Sequence, residues 1–293
     1  MPQPFIWLIY FGLVYNFIME KFLKEFSCRN KKRSLEKMEK FWKEGREKIH
    51  IITDFDLTLT PRDSRPGQDS STWGILENYL PEAAIEKIKK LYEKYRPLEV
   101  QGEMTVADAV DWYEGALEIY KRSGIKWADI VRDVEEKMSI RPYVKDFFNA
   151  CEEKEIPTII ISAGVKDVIE IWCRKFGIIP AVLLSTDLLF NLEGRIRGWE
   201  KDSLIHIFNK KEKGHKEISG VRQSRPNIIL IGDTLYDAAM ADGDDNVLRV
   251  IIDDPRKDDA SRSQSFYDNV FQKFDLMIKD KSFFPLVKMI RSF

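Results

Sequence analysis

Apolar residues along the chain keep two rhythms. Short, largely β-branched runs, IHIIT, IPTIIIS, NIILIG, VLRVII and DLMI, recur between residues 49 and 278. Each is bounded by polar or turn-forming text, as expected of a strand buried on both faces. Between them apolar positions return three and four apart, the spacing of one helix face. Strands alternating with helices predict a parallel α/β sheet with helices on both of its faces. VKDVIEIWCRKFG is one such helix, closed by Gly177. AVLLSTDLLFNLEGRIRGWE predicts a strand, then a hairpin that turns at Glu193-Gly194.

One stretch breaks the alternation. From about Pro81 to Phe148 the helical spacing continues through EAAIEKIKKLYEKY, TVADAVDWYEGALEIYKRSG and WADIVRDVEEKM, with no strand pattern between them. A helical cap inserted between the first and second strands accounts for it. The expected division is a hydrophobic segment and basic linker at 1–33, a core at 34–72 and 149–293, and a cap at 73–148. Within the core, Ser34 to Lys48 predicts a charged amphipathic helix with Leu35, Met38, Phe41 and Trp42 on one face. Residues 61–72, PRDSRPGQDSST, predict a loop.

Charge and cysteine content narrow the function classes. The 47 basic and 48 acidic residues nearly cancel, which disfavours electrostatic capture of a nucleic-acid polymer. Cys28, Cys151 and Cys173 are too far apart for a zinc knuckle, and so sparse a set fits a reducing compartment. The three histidines lack a metal-binding spacing, His206 reads as a packing residue, and no glycine-rich nucleotide loop is present. The run FIWLIYFGLVYNFIM from Phe5 to Met19 is shorter than the roughly 20 residues that span a bilayer. Lys21, Lys24, Arg29, Lys31, Lys32 and Arg33 follow it and would hold the C-terminal side in the cytoplasm if it inserted. A membrane anchor, a helix packed on protein and a non-native extension all stay open. The expected location is cytoplasmic, with tethering through residues 5–19 as the variant, and the chain is expected to be a monomer.

Three of the strands end in polar groups. The first delivers Asp54 and Asp56, the second Ser162 with Ala163 and Gly164, and the third Gly232 and Asp233 with Asp237 close behind. Ligands of open α/β sheets sit beyond the carboxyl ends of the strands, so these groups converge on one crevice. Clustered carboxylates repel one another and call for a hard cation, which with oxygen ligands suggests Mg2+. DFDLT sets two carboxylates two residues apart, one able to attack phosphorus and one able to handle a proton. Ser162 and the amides after it could bind phosphoryl oxygens, and Lys210 could neutralise charge as the group transfers.

DxDxT, SAG and GDTLYD in this order resemble the haloacid dehalogenase (HAD) superfamily of phosphatases, whose Rossmann-like parallel sheet carries a cap between its first two motifs. Within it, IITDFDLTLT, YRPLEV, IISAGVKDVIE, LIHIFNK, NIILIGDTLYDAAMADG and FDLMIKD, spread over roughly Ser34 to Phe293, are similar to the cytosolic type III (pyrimidine) 5'-nucleotidases. The resemblance implies Asp54 as nucleophile and Mg2+ ligand, and Asp56 as general acid and base with its carbonyl on the metal. It implies Asp233 as the third ligand with Asp237 behind it, and Thr58, Ser162, Ala163, Gly164 and Lys210 around the phosphate. Glu99, Trp112 and Tyr113 match cap residues near the nucleobase. Ala116 departs from a serine common in pyrimidine-preferring relatives, at a position where relatives that accept 7-methylguanosine monophosphate also differ. The implied activity is hydrolysis of pyrimidine or 7-methylguanosine 5'-monophosphates; the alternative is another small phosphomonoester such as phosphoserine.

Overall fold

In the computed structural model, which describes residues 23–62, 70–101, 103–254 and 264–293, the β-branched runs form a six-stranded sheet. Helix α1 (Lys31–Glu44) precedes β1 (Ile49–Thr53). Helices α2 (Thr72–Glu77), α3 (Glu82–Gln101), α4 (Val106–Arg122), α5 (Trp127–Lys137) and α6 (Val144–Glu153) separate β1 from β2 (Thr158–Val165). Then come α7 (Lys166–Phe176), β3 (Val182–Thr186) and a hairpin of β4 (Leu188–Phe190) and β5 (Ile196–Trp199). The chain continues through α8 (Lys216–Ser224), β6 (Asn227–Gly232), β7 (Val247–Ile252), α9 (Gln264–Lys273), β8 (Leu276–Ile278) and α10 (Phe284–Ser292).

The strand order is β3-β2-β1-β6-β7-β8, and every pairing is parallel. The chain builds outward from β1 on one side, then returns to build outward on the other. That reversal leaves a crevice at the carboxyl ends of β1 and β6, where ligands of such sheets bind. Period-two alternation supplies both faces with apolar groups. Ile49, Ile51, Ile160, Ile229 and Ile231 face one buried cluster, while Ile52, Ile159, Ile161, Ile228 and Leu230 face another.

Local expectations met four limits. Helix α1 stops at Glu44 because Gly45 takes a φ of 88°, and a 3-10 turn over Arg46–Lys48 replaces the expected last turn. Met38 and Phe41 are buried there as foreseen, but Trp42 is 38% exposed. Helix α3 runs on to Gln101 through Pro97, beyond the foreseen end at Tyr95, and α2 begins where a loop was expected. Gly177 closes α7 with a φ of 60°, as its position suggested. The hydrophobic run at 5–19 lies outside the described residues, as do residues 63–69 of the expected loop. Among the described residues, no helix is long and apolar enough to cross a membrane.

Asp167 ties α7 to the hairpin, since its buried carboxylate accepts the Leu188 N–H at 2.9 Å. Burial pushes this carboxyl up to about 6 from an ordinary 3.8. Between those values the folded chain holds a proton that the unfolded chain has lost, so stability falls as pH rises through the window and stays lower above it. Asp167→Asn keeps an acceptor and removes that cost. It should gain roughly 1–3 kcal/mol near pH 7 and nothing below about pH 4. Urea denaturation at the two pH values checks this, and an equal gap at both would refute it.

Candidate active site

Strand β1 ends beside β6, where the Asp54 amide donates to the Ile231 carbonyl at 3.0 Å. The chain then turns back on itself. Leu57 takes a φ of 61°, and the amides of Thr58, Leu59 and Thr60 all point to the Phe55 carbonyl. The turn brings the Thr58 hydroxyl to Asp54 Oδ2, to which it donates at 3.1 Å. Lys210 Nζ donates to Asp54 Oδ1 and, at 2.7 Å, to Asp237 Oδ1. All three side chains are buried. Asn209 secures the turn that presents Lys210, accepting the His206 amide at 2.7 Å and donating to the Leu204 carbonyl at 2.8 Å.

Asp237 has donors on both carboxylate oxygens. Its Oδ2 accepts the amides of Asp233 (3.0 Å) and Thr234 (2.8 Å) and the Thr234 hydroxyl (2.9 Å). A methyl group at Gly232 would sit 2.4 Å from Asp237 Cβ, so this close approach requires glycine. Oxygens of Asp54, Asp233 and Asp237 all lie within 4.8 Å of one another. Burial lifts Asp54 to about 6 against the pull of Lys210. Burial, then the charges of Asp237 and Asp54, hold Asp233 well above the carboxylate range. Burial disfavours charge on Lys210, yet Asp237 and Asp54 raise its ammonium above the ordinary lysine range. Three carboxylates against one ammonium leave negative charge for a divalent cation to offset, and an all-oxygen donor set fits a hard one.

Asp56 is held by Thr72. Its Oδ1 accepts the Thr72 amide and its Oδ2 the Thr72 hydroxyl, both at 2.8 Å. Burial and the charge of Asp54 push its carboxyl up to about 7. The Thr72 hydroxyl also accepts the Val165 amide at 3.2 Å, which joins α2 to the end of β2. A methyl group at Gly164 would lie 2.2 Å from Thr72 Oγ1, 2.8 Å from Asp56 Oδ2 and 3.1 Å from Ser162 Oγ. Ser162 is buried, with its Oγ accepting the Gly164 amide at 3.0 Å, and Ala163 is half-buried between them.

The cap residues form a second group. The Glu99 carboxylate pairs with Arg96, and its carbonyl accepts the Tyr236 hydroxyl at 2.6 Å. Burial, and then the charge of Glu99, hold the Tyr113 hydroxyl well above its ordinary range, and Lys210, Asp56 and Asp54 also act on it. Tyr113 therefore feels the charges of Glu99 and of the two carboxylates that follow β1. Its ring packs edge-on to Trp73 at 5.8 Å and lies 6.3 Å from His206. Trp112 is stacked on Tyr95 at 5.9 Å, with Tyr92 and Tyr113 at its edges, and Ala116 is buried in the main apolar cluster.

Thr72, Tyr236 and Arg141 escaped sequence reasoning. Arg141 is wholly buried between α5 and α6, and its guanidinium donates to the carbonyls of Leu57 (2.6 Å), Thr58 (2.7 Å), Thr60 (3.1 Å) and Lys281 (3.1 Å). Asp254 Oδ2, at 3.1 Å, supplies the counter-charge. Arg141 thus fixes the turn that aims Thr58 at Asp54. Thr72 and Tyr236 adjoin motifs that were visible, but nothing near Arg141 in sequence marks its distant carbonyl partners.

With the geometry established, the comparisons decide the family. Residues 57–291 match the family model Pyrimidine 5'-nucleotidase (UMPH-1). The chain belongs to this family. The match begins at Leu57, directly after Asp54 and Asp56. A 7-methylguanosine phosphate-specific 5'-nucleotidase A of Xenopus laevis is 32% identical over 228 residues, covering 74% of this chain and 78% of that protein. The crystal structure of cytosolic 5'-nucleotidase IIIB bound to cytidine superposes with a TM-score of 0.75 at 24% identity, covering 92% of this chain and 94% of that one. A substrate-bound phosphoserine phosphatase gives 0.54 at 13% identity, covering 83% of this chain and 97% of that one. These two structures establish the HAD-type fold that the pyrimidine 5'-nucleotidase family shares.

Removing the guanidinium of Arg141 would leave four carbonyls without their donor and Asp254 short of one partner. Arg141→Met should therefore cost about 3–5 kcal/mol in urea denaturation. A loss under about 1 kcal/mol would mean the turn holds itself.

Proposed function

We propose that the chain hydrolyses nucleoside 5'-monophosphates, of the pyrimidine or 7-methylguanosine type, to nucleoside and phosphate. One observation carries the reading: in a member of this nucleotidase family, Asp54, Lys210 and Asp237 form a buried charge cluster beside Asp233. In this account residues 73–148 are the cap that admits the substrate to the core of 34–72 and 149–293.

Asp54 attacks phosphorus through a carboxylate oxygen, the bond from phosphorus to the 5'-oxygen breaks, and an aspartyl-phosphate forms. Asp56 donates the proton that the leaving nucleoside oxygen takes up. Thr72, on both oxygens of Asp56, keeps that carboxyl turned towards the crevice. Asp56 then takes a proton from water, whose oxygen attacks the phosphorus and frees Asp54. Thr58, Ser162 and the Ala163 amide hold the phosphoryl oxygens, while Lys210 offsets their charge; the Gly164 amide, expected among these donors, is instead given to Ser162 Oγ. Asp54, Asp233 and the Asp56 carbonyl would hold Mg2+. When bound, Mg2+ neutralises charge on phosphate and nucleophile. Asp237, with protein donors on both carboxylate oxygens, orients Lys210 and the Asp233 loop.

Cytoplasmic location belongs to the same reading, supported by the sparse cysteines and by relatives named as cytosolic. One chain supplies every polar group of the site, so a monomer suffices.

Phosphate release from CMP, UMP, 7-methylguanosine monophosphate and phosphoserine tests the substrate class. Turnover of at least one nucleotide is expected to exceed that of phosphoserine, and the reverse order would overturn the proposal. Asp54→Asn should lower turnover by at least about 1000-fold with an unchanged circular dichroism spectrum. Activity persisting in a folded, magnesium-supplied Asp54→Asn protein would remove Asp54 from the chemistry.

A further inference from the structure

A carboxylate of α3, whose backbone is held by the loop that carries Asp233, is paired with a cation. Arg96 and Glu99 stand three residues apart on α3, around Pro97, and their side chains meet as an ion pair. The carboxylate is 14% exposed and the guanidinium 45%. Glu99 is not an ordinary surface acid. Its carbonyl takes the hydroxyl of Tyr236, in the loop that carries Asp233 and Asp237, and its charge acts on Tyr113 together with those of Asp54 and Asp56. Arg96 also lies near Tyr92, whose ring is edge-on to Trp112 at 6.2 Å. The guanidinium therefore borders the same aromatic group as the carboxylate.

This pairing has a consequence for the base. An unpaired carboxylate attracts a positively charged ring, and 7-methylguanine carries such a charge at neutral pH. A carboxylate bound to a guanidinium has lost most of that attraction, while the remaining N–H donors of the guanidinium suit carbonyl acceptors. Cytosine and uracil are neutral and carry such carbonyls. We propose that Arg96 is a specificity-determining residue, which by neutralising Glu99 makes the site favour a neutral pyrimidine over a cationic 7-methylguanine. The inference rests on the nucleotidase reading above and on Glu99 facing the base.

The test compares kcat/KM for CMP and for 7-methylguanosine monophosphate in the wild-type chain, Arg96→Met, Arg96→Gln and Arg96→Lys. Calorimetric binding of cytidine and 7-methylguanosine to the same proteins gives a second readout. The wild type should favour CMP. Arg96→Met should shift the ratio towards the methylated nucleotide by on the order of tenfold, mainly through KM, as expected for a half-exposed charge. Arg96→Lys keeps the charge and should keep the wild-type order. Arg96→Gln should behave as Arg96→Met and replaces it if the methionine variant does not fold. A ratio unchanged within about twofold in both neutral variants, or a wild type that favours the methylated nucleotide, would overturn the proposal. A wild type that releases phosphate from phosphoserine but from no nucleotide would instead refute the nucleotidase reading.

Discussion

Packing carboxylates of like charge into a dry crevice is the constraint around which this protein is built. Asp54, Asp233 and Asp237 lie within 4.8 Å of one another, and Asp54 and Asp237 are almost wholly buried. Uncompensated, such a group would take up protons or force the strand ends apart. Lys210 joins Asp54 to Asp237, and the amides of Asp233 and Thr234 use the other oxygen of Asp237. The compensation is deliberately uneven. Asp237 takes donors on both of its oxygens, whereas the Asp233 carboxylate takes no hydrogen bond from a described residue, so the residual charge collects where a cation could meet it.

The sheet topology makes this possible by bringing distant segments to one place. Asp54 and Asp233 follow neighbouring parallel strands, β1 and β6, paired in register from Ile49 and Asn227 to Thr53 and Ile231. The turn that carries Lys210 is anchored to the same β1 at its other end, where His50 Nε2 lies 2.7 Å from Glu212 Oε1. One strand therefore fixes both members of the Lys210–Asp54 pair. Gly232 and Gly164 make the last adjustment, since a Cβ at either would collide with Asp237 or with Thr72 and Asp56.

Groups whose signal is local could be read from the chain. The three strand ends, the two glycines and the closure of α7 at Gly177 all follow from patterns a few residues long. What could not be read depends on partners far apart in sequence. Arg141 looks like any surface arginine until residues 57, 58, 60 and 281 are brought around it. Thr72 looks like one polar residue among many until Asp56 claims both its amide and its hydroxyl. Pro97 is a reasonable end for a helix by local rules, yet α3 continues through it to Gln101. That extension carries Glu99 to Tyr236, a tertiary contact outweighing a local preference.

The same contact bears on how the phosphate and base sides communicate. Tyr236 lies one residue before Asp237, whose carboxylate orients Lys210, and its hydroxyl holds the backbone of Glu99 on α3. Tyr113, on α4, senses both Glu99 and the carboxylates of β1. The helices that would read the base are thus fastened to the loop that would read the phosphate, through a hydroxyl and a carbonyl and without shared charge. A base change at Arg96 or Glu99 can then alter the electrostatics of recognition while the Lys210 cluster keeps its geometry.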